Sequence, residues 1–325
     1  MFADGLWCAQ YVQPSRFAIT WALDAQFRHP DNGNVPISLG AKLPHTGTVD
    51  PASIPDRART LEAAGFDSLW VSDHVVMPLT IGSYYPFASD GRAPWTGDIP
   101  YVEAVVTLAV AAAVTERVRL GSAVLVLPQR NPVLLAKQVA SLDSVSGGRI
   151  ALGIGAGWLE EEFAALDSPF EERGRRMEEW IAVLRDFWTG RPSARDGIYP
   201  VAAGLVQLPV PTHPVPLLVG GHTKAAFRRA GSLGDGWLAQ QAVPDLDVDH
   251  LATEIAAVRA HAVKVGRDPA TLRFVLRLVE STGREAAVAR HLVDLDAIGV
   301  DEVIVDTPVD GDPVPVHDAL RSATT

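Results

Sequence analysis

Short apolar runs alternate with longer stretches in which apolar side chains recur at helical spacing, and this alternation holds from residue 35 to the end of the chain. The short runs predict strands at 37–43, 68–72, 119–126, 149–155, 216–219, 236–239, 272–279 and 301–305. Helical patterns at 50–64, 101–114, 132–147, 223–232, 245–265, 284–298 and 316–322 separate or follow them. Several strands are apolar throughout, as buried parallel strands are. Eight such units predict an α/β protein folded as a closed (β/α)8 TIM barrel, not an open doubly wound sheet. No Pro/Ser-rich linker divides 35–325, which therefore reads as one domain. Residues 1–34 fit no part of the pattern and read as a poorly packed N-terminal extension.

A small echo supports the assignment. Gly65 and Asp67, Gly234 and Asp235, and Gly299 and Asp301 each join a helix end to a strand. Glycine suits a left-handed helix stop, and aspartate suits the turn that follows. Two connections are longer than links require: 75–100 leaves the second strand and 158–215 leaves the fourth. In a barrel, long loops at strand C-termini wall the active face, so these two insertions are the expected walls and lid.

Composition narrows the partners. The chain has 325 residues, a net charge of −11 and 47% hydrophobic residues. That charge disfavours nucleic acid and anionic membranes, and no apolar run approaches the ~20 residues of a membrane span. Cys8 is the sole cysteine, which leaves neither an intrachain disulfide nor a thiolate cage. The chain lacks the ordered features of a signal peptide, and a cytoplasmic location is expected.

Candidate chemistry lies at the strand C-termini. The run from Arg149 breaks into the alternate glycines Gly153, Gly155 and Gly157, a strand end stripped of side chains so that something can lie against its backbone. It is not a G-x-G-x-x-G fingerprint, because Trp158 stands where that pattern needs space. Trp158 itself reads as a stacking wall or as the apolar end of the following helix. Gly220, Gly221, His222 and Thr223 precede a helix: uncovered amides, a capping hydroxyl and the positive end of the helix dipole would cradle a phosphate. Asp73 and His74 read either as a proton-handling pair or as hydrogen-bonding groups that order the long loop. Arg173, Arg175 and Arg176 read as ion-pairing residues on a solvated face. A metal reading is also open, because His45, His74, His222 and Asp306 would converge on one mouth, although no H-x-H pair is present to seed a zinc site.

These segments, taken in order, resemble the luciferase-like monooxygenase family. The resemblance is carried by Gly65 to His74, Arg119 to Val126, Arg130 to Gln138, Ser146 to Arg149, Gly153 to Trp158, Glu162-Phe163, Arg173-Gly174, Leu217 to Gly221 and Gly234 to Trp237. They are most similar to its deazaflavin-dependent branch, which uses coenzyme F420, with FMN as the cofactor of the neighbouring monooxygenase branches. The resemblance implies a TIM barrel, a commonly homodimeric assembly, and hydride transfer to or from a small organic substrate; Tyr84, Tyr85, Phe87 and Trp95 in the 75–100 loop suggest an apolar or ring-bearing one. It implies that Asp73 and His74 lie near the reactive ring and that Ala123-Val124 forms a cis-peptide bulge against the ring's back face. Gly155, Ala156 and Gly157 join the Gly220 to Thr223 turn in the implied cofactor site. Sugar-phosphate dehydrogenases of the family carry an acid where this chain has Trp158, and a tryptophan near Met77. The proton donor is then sought in His74 and Glu161.

Overall fold

The computed structural model describes residues 37–88 and 90–324, so the 1–34 extension lies outside the described residues. Eight parallel strands close in chain order: β1 (Ser38–Lys42), β2 (Ser68–Val71), β3 (Arg119–Val126), β4 (Ile150–Gly155), β5 (Leu217–Gly220), β6 (Gly236–Ala242), β7 (Arg273–Val279) and β8 (Glu302–Val305). β1 pairs with β8 from Ser38–Glu302 to Ala41–Val305, so the sheet has no edge. The helices are α1 (Ile54–Ala63), α2 (Ala104–Val114), α3 (Pro132–Ser146), α4 (Glu160–Ala165), α5 (Arg173–Phe187), α6 (Lys224–Ser232), α7 (Val248–Lys264), α8 (Glu285–Ala297) and α9 (Val314–Arg321). None is long and apolar enough to cross a membrane.

Local chemistry sets the boundaries. α3 starts where Asn131 accepts from the amides of Val133 and Leu134 and Pro132 fills the first turn; it stops at Gly147, whose φ is 72°. α2 begins three residues later than the pattern predicts. Tyr101 is held in a bridge to Thr46, and Glu103 then caps the helix through the Val106 amide at 2.8 Å. Gly65 and Gly299 are left-handed as expected, with φ of 102° and 91°. Gly234 is not; a Cβ there would come within 2.9 Å of Val219 and 3.1 Å of the Ala230 carbonyl, so space and not φ requires glycine. The three aspartates share a further role. Asp67, Asp235 and Asp301 accept from the amides of Leu39, Leu217 and Phe274 at 2.7–2.9 Å, so each clips its own strand to the one before.

The 158–215 segment is not wholly an insertion. α5 buries Met177, Trp180, Ile181, Val183, Leu184 and Phe187 in the core and serves as the barrel's own helix after β4. Extra chain is confined to 158–172 and 188–215. The 75–100 loop contains neither helix nor strand among its described residues.

Inside the barrel, Trp70, Ala151, Leu218, Leu238, Val275 and Ile304 form a ring separate from the larger core between strands and helices. Gly40 and Gly121 make room for the Trp70 indole, which a Cβ at either position would strike. Below it, the buried Glu302 accepts from the Ser68 hydroxyl, Trp70 Nε1 (2.8 Å) and Arg119 Nη2 (2.6 Å).

Candidate active site

Strand alternation carries the inner ring upward to Lys42, Ser72, Gly155, Gly220, Gln240 and Arg277, with Asp306 one step past β8. These positions floor the C-terminal mouth, the face on which barrel enzymes place their chemistry.

His74 is oriented by a residue that the sequence reading did not single out for a role. Its Nδ1 donates to Glu162 Oε2 at 3.1 Å, while Glu162 Oε1 accepts from the amides of Val75 (2.5 Å) and Val76 (3.2 Å). A carboxylate only accepts, so Nδ1 carries a proton, and Nε2 has no partner among the described residues. Glu162 sits in the Glu160 to Glu162 run; contact across 88 residues separates it from the exposed Glu160 and the half-buried Glu161. Tyr101 and Trp158 pack edge-on against the His74 ring at 5.4 and 6.0 Å.

Asp73 does not share the mouth. It is buried and accepts from the Val126 amide (2.9 Å) and from Arg130 Nη2 (2.6 Å), so it is a positioning residue that ties β2 to β3. Burial pushes its carboxyl pKa up, against the opposing pull of Arg130 and the amide.

The Ala123–Val124 peptide bond is cis and sits where the pairing of β3 with β4 shifts register, between Ser122 and Leu125. Ala123 and Val124 pack on the inner ring. The glycines beside them are occupied, which corrects the reading of a bare strand end. A Cβ at Gly155 would lie 2.6 Å from Val124 Cγ2, and one at Gly220 would lie 2.7 Å from Val124 Cγ1. At Gly157, with φ of 85°, a Cβ would meet Phe163 at 2.6 Å and Val126 at 2.7 Å. Gly155 and Gly157 therefore admit neighbouring side chains of this chain, and the half-buried Ala156 lies between them. Arg173 departs from the solvated-face reading as well: its Nε donates to the Gly157 carbonyl at 3.2 Å and its guanidinium covers the Phe170 ring.

The turn after β5 keeps its predicted form. Gly221 has φ of 111°, and Thr223 caps α6 by accepting from the Ala226 amide at 3.1 Å. The amides of Gly221, His222, Lys224 and Ala225 find no acceptor among the described residues, the condition that makes a helix start receptive to an anion. The His222 ring is committed elsewhere. Nδ1 faces both oxygens of Glu254 at 2.9 and 3.0 Å and Nε2 accepts from the Gln240 amide, so only its backbone remains for the cradle.

The long β2 loop crosses the mouth. Tyr85 packs on Trp158 at 5.0 Å and on Trp95 at 5.1 Å, its hydroxyl meets Gln240 of β6, and Phe87 reaches the His222 ring at 6.2 Å. Trp158 is thus a half-buried wall of the mouth, not the apolar end of α4. Glu161 latches this loop by accepting from the Gly82 amide (2.7 Å), the Ser83 amide (3.1 Å) and the Ser83 hydroxyl (2.5 Å). Burial would raise its pKa, but the Ser83 hydroxyl and the two amides outweigh burial and hold it below the ordinary carboxylate value. An ionised acceptor in that position is a latch, which removes Glu161 as a proton donor. A depressed folded-state pKa gives a latch that holds above the ordinary carboxyl pKa and is lost as pH falls through the depressed value. Glu161→Gln is therefore expected to lower the protection of the Gly82 and Ser83 amides against exchange at pH 7, as acid does in the parent chain once rates are divided by the intrinsic rate at each pH. Equal exchange in the two proteins at pH 7 counts against the latch.

The four residues of the metal reading are engaged separately. His45 is buried with its ring nitrogens at the Leu43 and Ser72 carbonyls (2.8 and 3.0 Å), His74 and His222 face glutamates, and Asp306 pairs with Arg277 at 2.5 Å. Among the described residues no group of three His, Cys, Asp or Glu is arranged to hold a metal ion.

The luciferase-like monooxygenase family model matches residues 35–319. An uncharacterized protein of Mycobacterium tuberculosis is 35% identical over 248 residues, which span 76% of this chain and 82% of the relative. A Nakamurella multipartita protein named F420-dependent glucose-6-phosphate dehydrogenase is 32% identical over 260 residues, spanning 78% of this chain and 70% of its own length. Among solved structures, an F420-dependent secondary alcohol dehydrogenase in complex with an F420-acetone adduct matches with a TM-score of 0.71 over 90% of this chain and 100% of that one. At 16% identity the likeness is one of fold alone.

Proposed function

The chain belongs to the luciferase-like monooxygenase family, and on that premise we propose an oxidoreductase that exchanges hydride between a deazaflavin of the coenzyme F420 type and a small organic substrate. The observation that carries the cofactor class is the 32% identity to a relative named for F420 over most of both chains. The residues fit such a group. The Val124 bulge between the Gly155 and Gly220 strand ends offers a ledge for a flat ring, and the acceptor-free start of α6 suits the phosphate of its tail. When bound, the reduced cofactor supplies the hydride.

The chain's own residues hold, orient and keep dry. Gly221, His222, Lys224 and Ala225 bind the phosphate through their amides. Tyr85, Phe87 and Trp158 exclude water from above. His74, fixed by Glu162, holds or takes the substrate's proton at Nε2. Trp158 stands where the sugar-phosphate dehydrogenases carry an acid, so the proposed substrate is not a sugar phosphate. Titration of the purified chain with F420 and, separately, with FMN, followed by tryptophan emission, tests the reading. F420 is expected to bind at least about tenfold tighter, near 1.4 kcal/mol. Tight FMN binding without a response to F420 would move the chain to the FMN-dependent monooxygenase branch.

A further inference from the structure

We propose that Lys42, at the end of β1 beside the Arg277–Asp306 ion pair, binds the carboxylate of an organic-acid substrate in the barrel mouth. The inference rests on the mouth being the substrate site and adds the substrate's chemical class.

The argument starts from placement. A Cβ at Gly40 would meet Ser68, Trp70 and Glu302, all inside the barrel, so Lys42 two residues on faces the same interior, at its upper end. It is only partly exposed, whereas the chain's other lysines, at 137, 224 and 264, are exposed.

Partner accounting follows. Arg277 is buried, and its Nη2 is spent on Asp306 Oδ1 at 2.5 Å. No hydrogen bond or ion pair joins the Lys42 ammonium group to any described residue. The ammonium group therefore has three donors to offer at the mouth. The missing partner is an acceptor oxygen brought by the ligand.

Charge specifies what kind of oxygen. Arg277 and Asp306 cancel, which leaves the Lys42 charge in surplus. The carboxylates at the β2 end bond elsewhere, Asp73 to Arg130 and Glu162 to His74 and two amides. Burial outweighs the two carbonyl contacts of His45 and pushes its pKa down. A positive charge beside that self-cancelling pair, in a chain with net charge −11, favours an anion. Burial, then Arg277, lowers the Lys42 pKa to about 8, with Asp306 pulling the other way. A bound carboxylate would raise it again. The aromatic cover of Tyr85, Phe87 and Trp158 supplies the apolar half of the complement, so the substrate class is an acid with an apolar body.

Four lysines make the test direct. The purified chain is reductively methylated with 13C-formaldehyde, and butyrate is the probe. The signal that disappears in Lys42→Arg is expected to titrate near pH 8 and to move, with a raised midpoint, on adding butyrate. The three exposed lysines report the non-specific effect of salt. Should Lys42→Arg fail to fold, Lys→Arg exchanges at 137, 224 and 264 leave only the signals of Lys42 and the α-amino group, whose N-methyl carbons differ in chemical shift. Movement no larger with butyrate than with chloride at equal ionic strength means an adventitious ion only and overturns the proposal. So does movement produced by F420 alone that abolishes the butyrate response, because Lys42 would then belong to the cofactor. A butyrate response in a chain that binds no F420 would sink the cofactor reading and leave this one standing.

Discussion

Arg130→Met is expected to lower the unfolding free energy by about 3–5 kcal/mol at pH 7, the usual cost of stranding one member of a buried ion pair. The guanidinium joins Asp73 at 2.6 Å and Glu103 at 2.8 Å, and the Asp73 side chain is 0% exposed. Methionine fills much the same space but leaves Asp73 with the Val126 amide as its remaining donor among the described residues. The loss should depend on pH. Burial already raises the Asp73 pKa and Arg130 is the first force opposing that rise, so the variant's carboxyl moves higher still. A raised folded-state pKa contributes stability below the unfolded value and forfeits it as pH climbs through the folded one. The deficit is therefore smaller near pH 4 than at pH 7. Urea midpoints of both proteins at the two pH values measure it. A loss below about 1 kcal/mol at pH 7, within the range of an exposed pair, would mean that the top of β2 is held by something else.

Gly155→Ala is expected to cost about 1–3 kcal/mol, as overpacking does, and to weaken F420 binding by displacing the ledge. The new methyl would lie 2.6 Å from Val124 Cγ2, and Val124 cannot swing clear: it is β-branched, and its other methyl already fills the space beside Gly220. Val124→Ala should relieve the clash, so the double variant is more stable than Gly155→Ala alone. Strict additivity of the two changes in a double-mutant cycle would show that this contact is not the source.

Much of the barrel is legible without coordinates because its signals are local. The span of β3 matches the predicted 119–126, and α3 runs between the Asn131 cap and the Gly147 stop just as those residue types direct. What sequence does not carry is contact across the barrel. Glu162 is one of three consecutive glutamates, and only the fold separates it from Glu161, whose carboxylate latches a loop. Asp73 and His74 are neighbours whose side chains part company, because successive residues leaving a strand point to opposite sides. The glycines of β4 announce a close approach but do not say that Val124 of the same chain makes it. Lys42 is an unremarkable lysine at a strand end until β7 and β8 bring Arg277 and Asp306 beside it.

The indole of Trp70, wedged into the space that Gly40 and Gly121 leave open, stoppers the barrel halfway along its axis. Whatever enters from the loop side must leave by the same door. Traffic is then single file: what occupies the mouth has to clear the aperture before the next molecule is admitted.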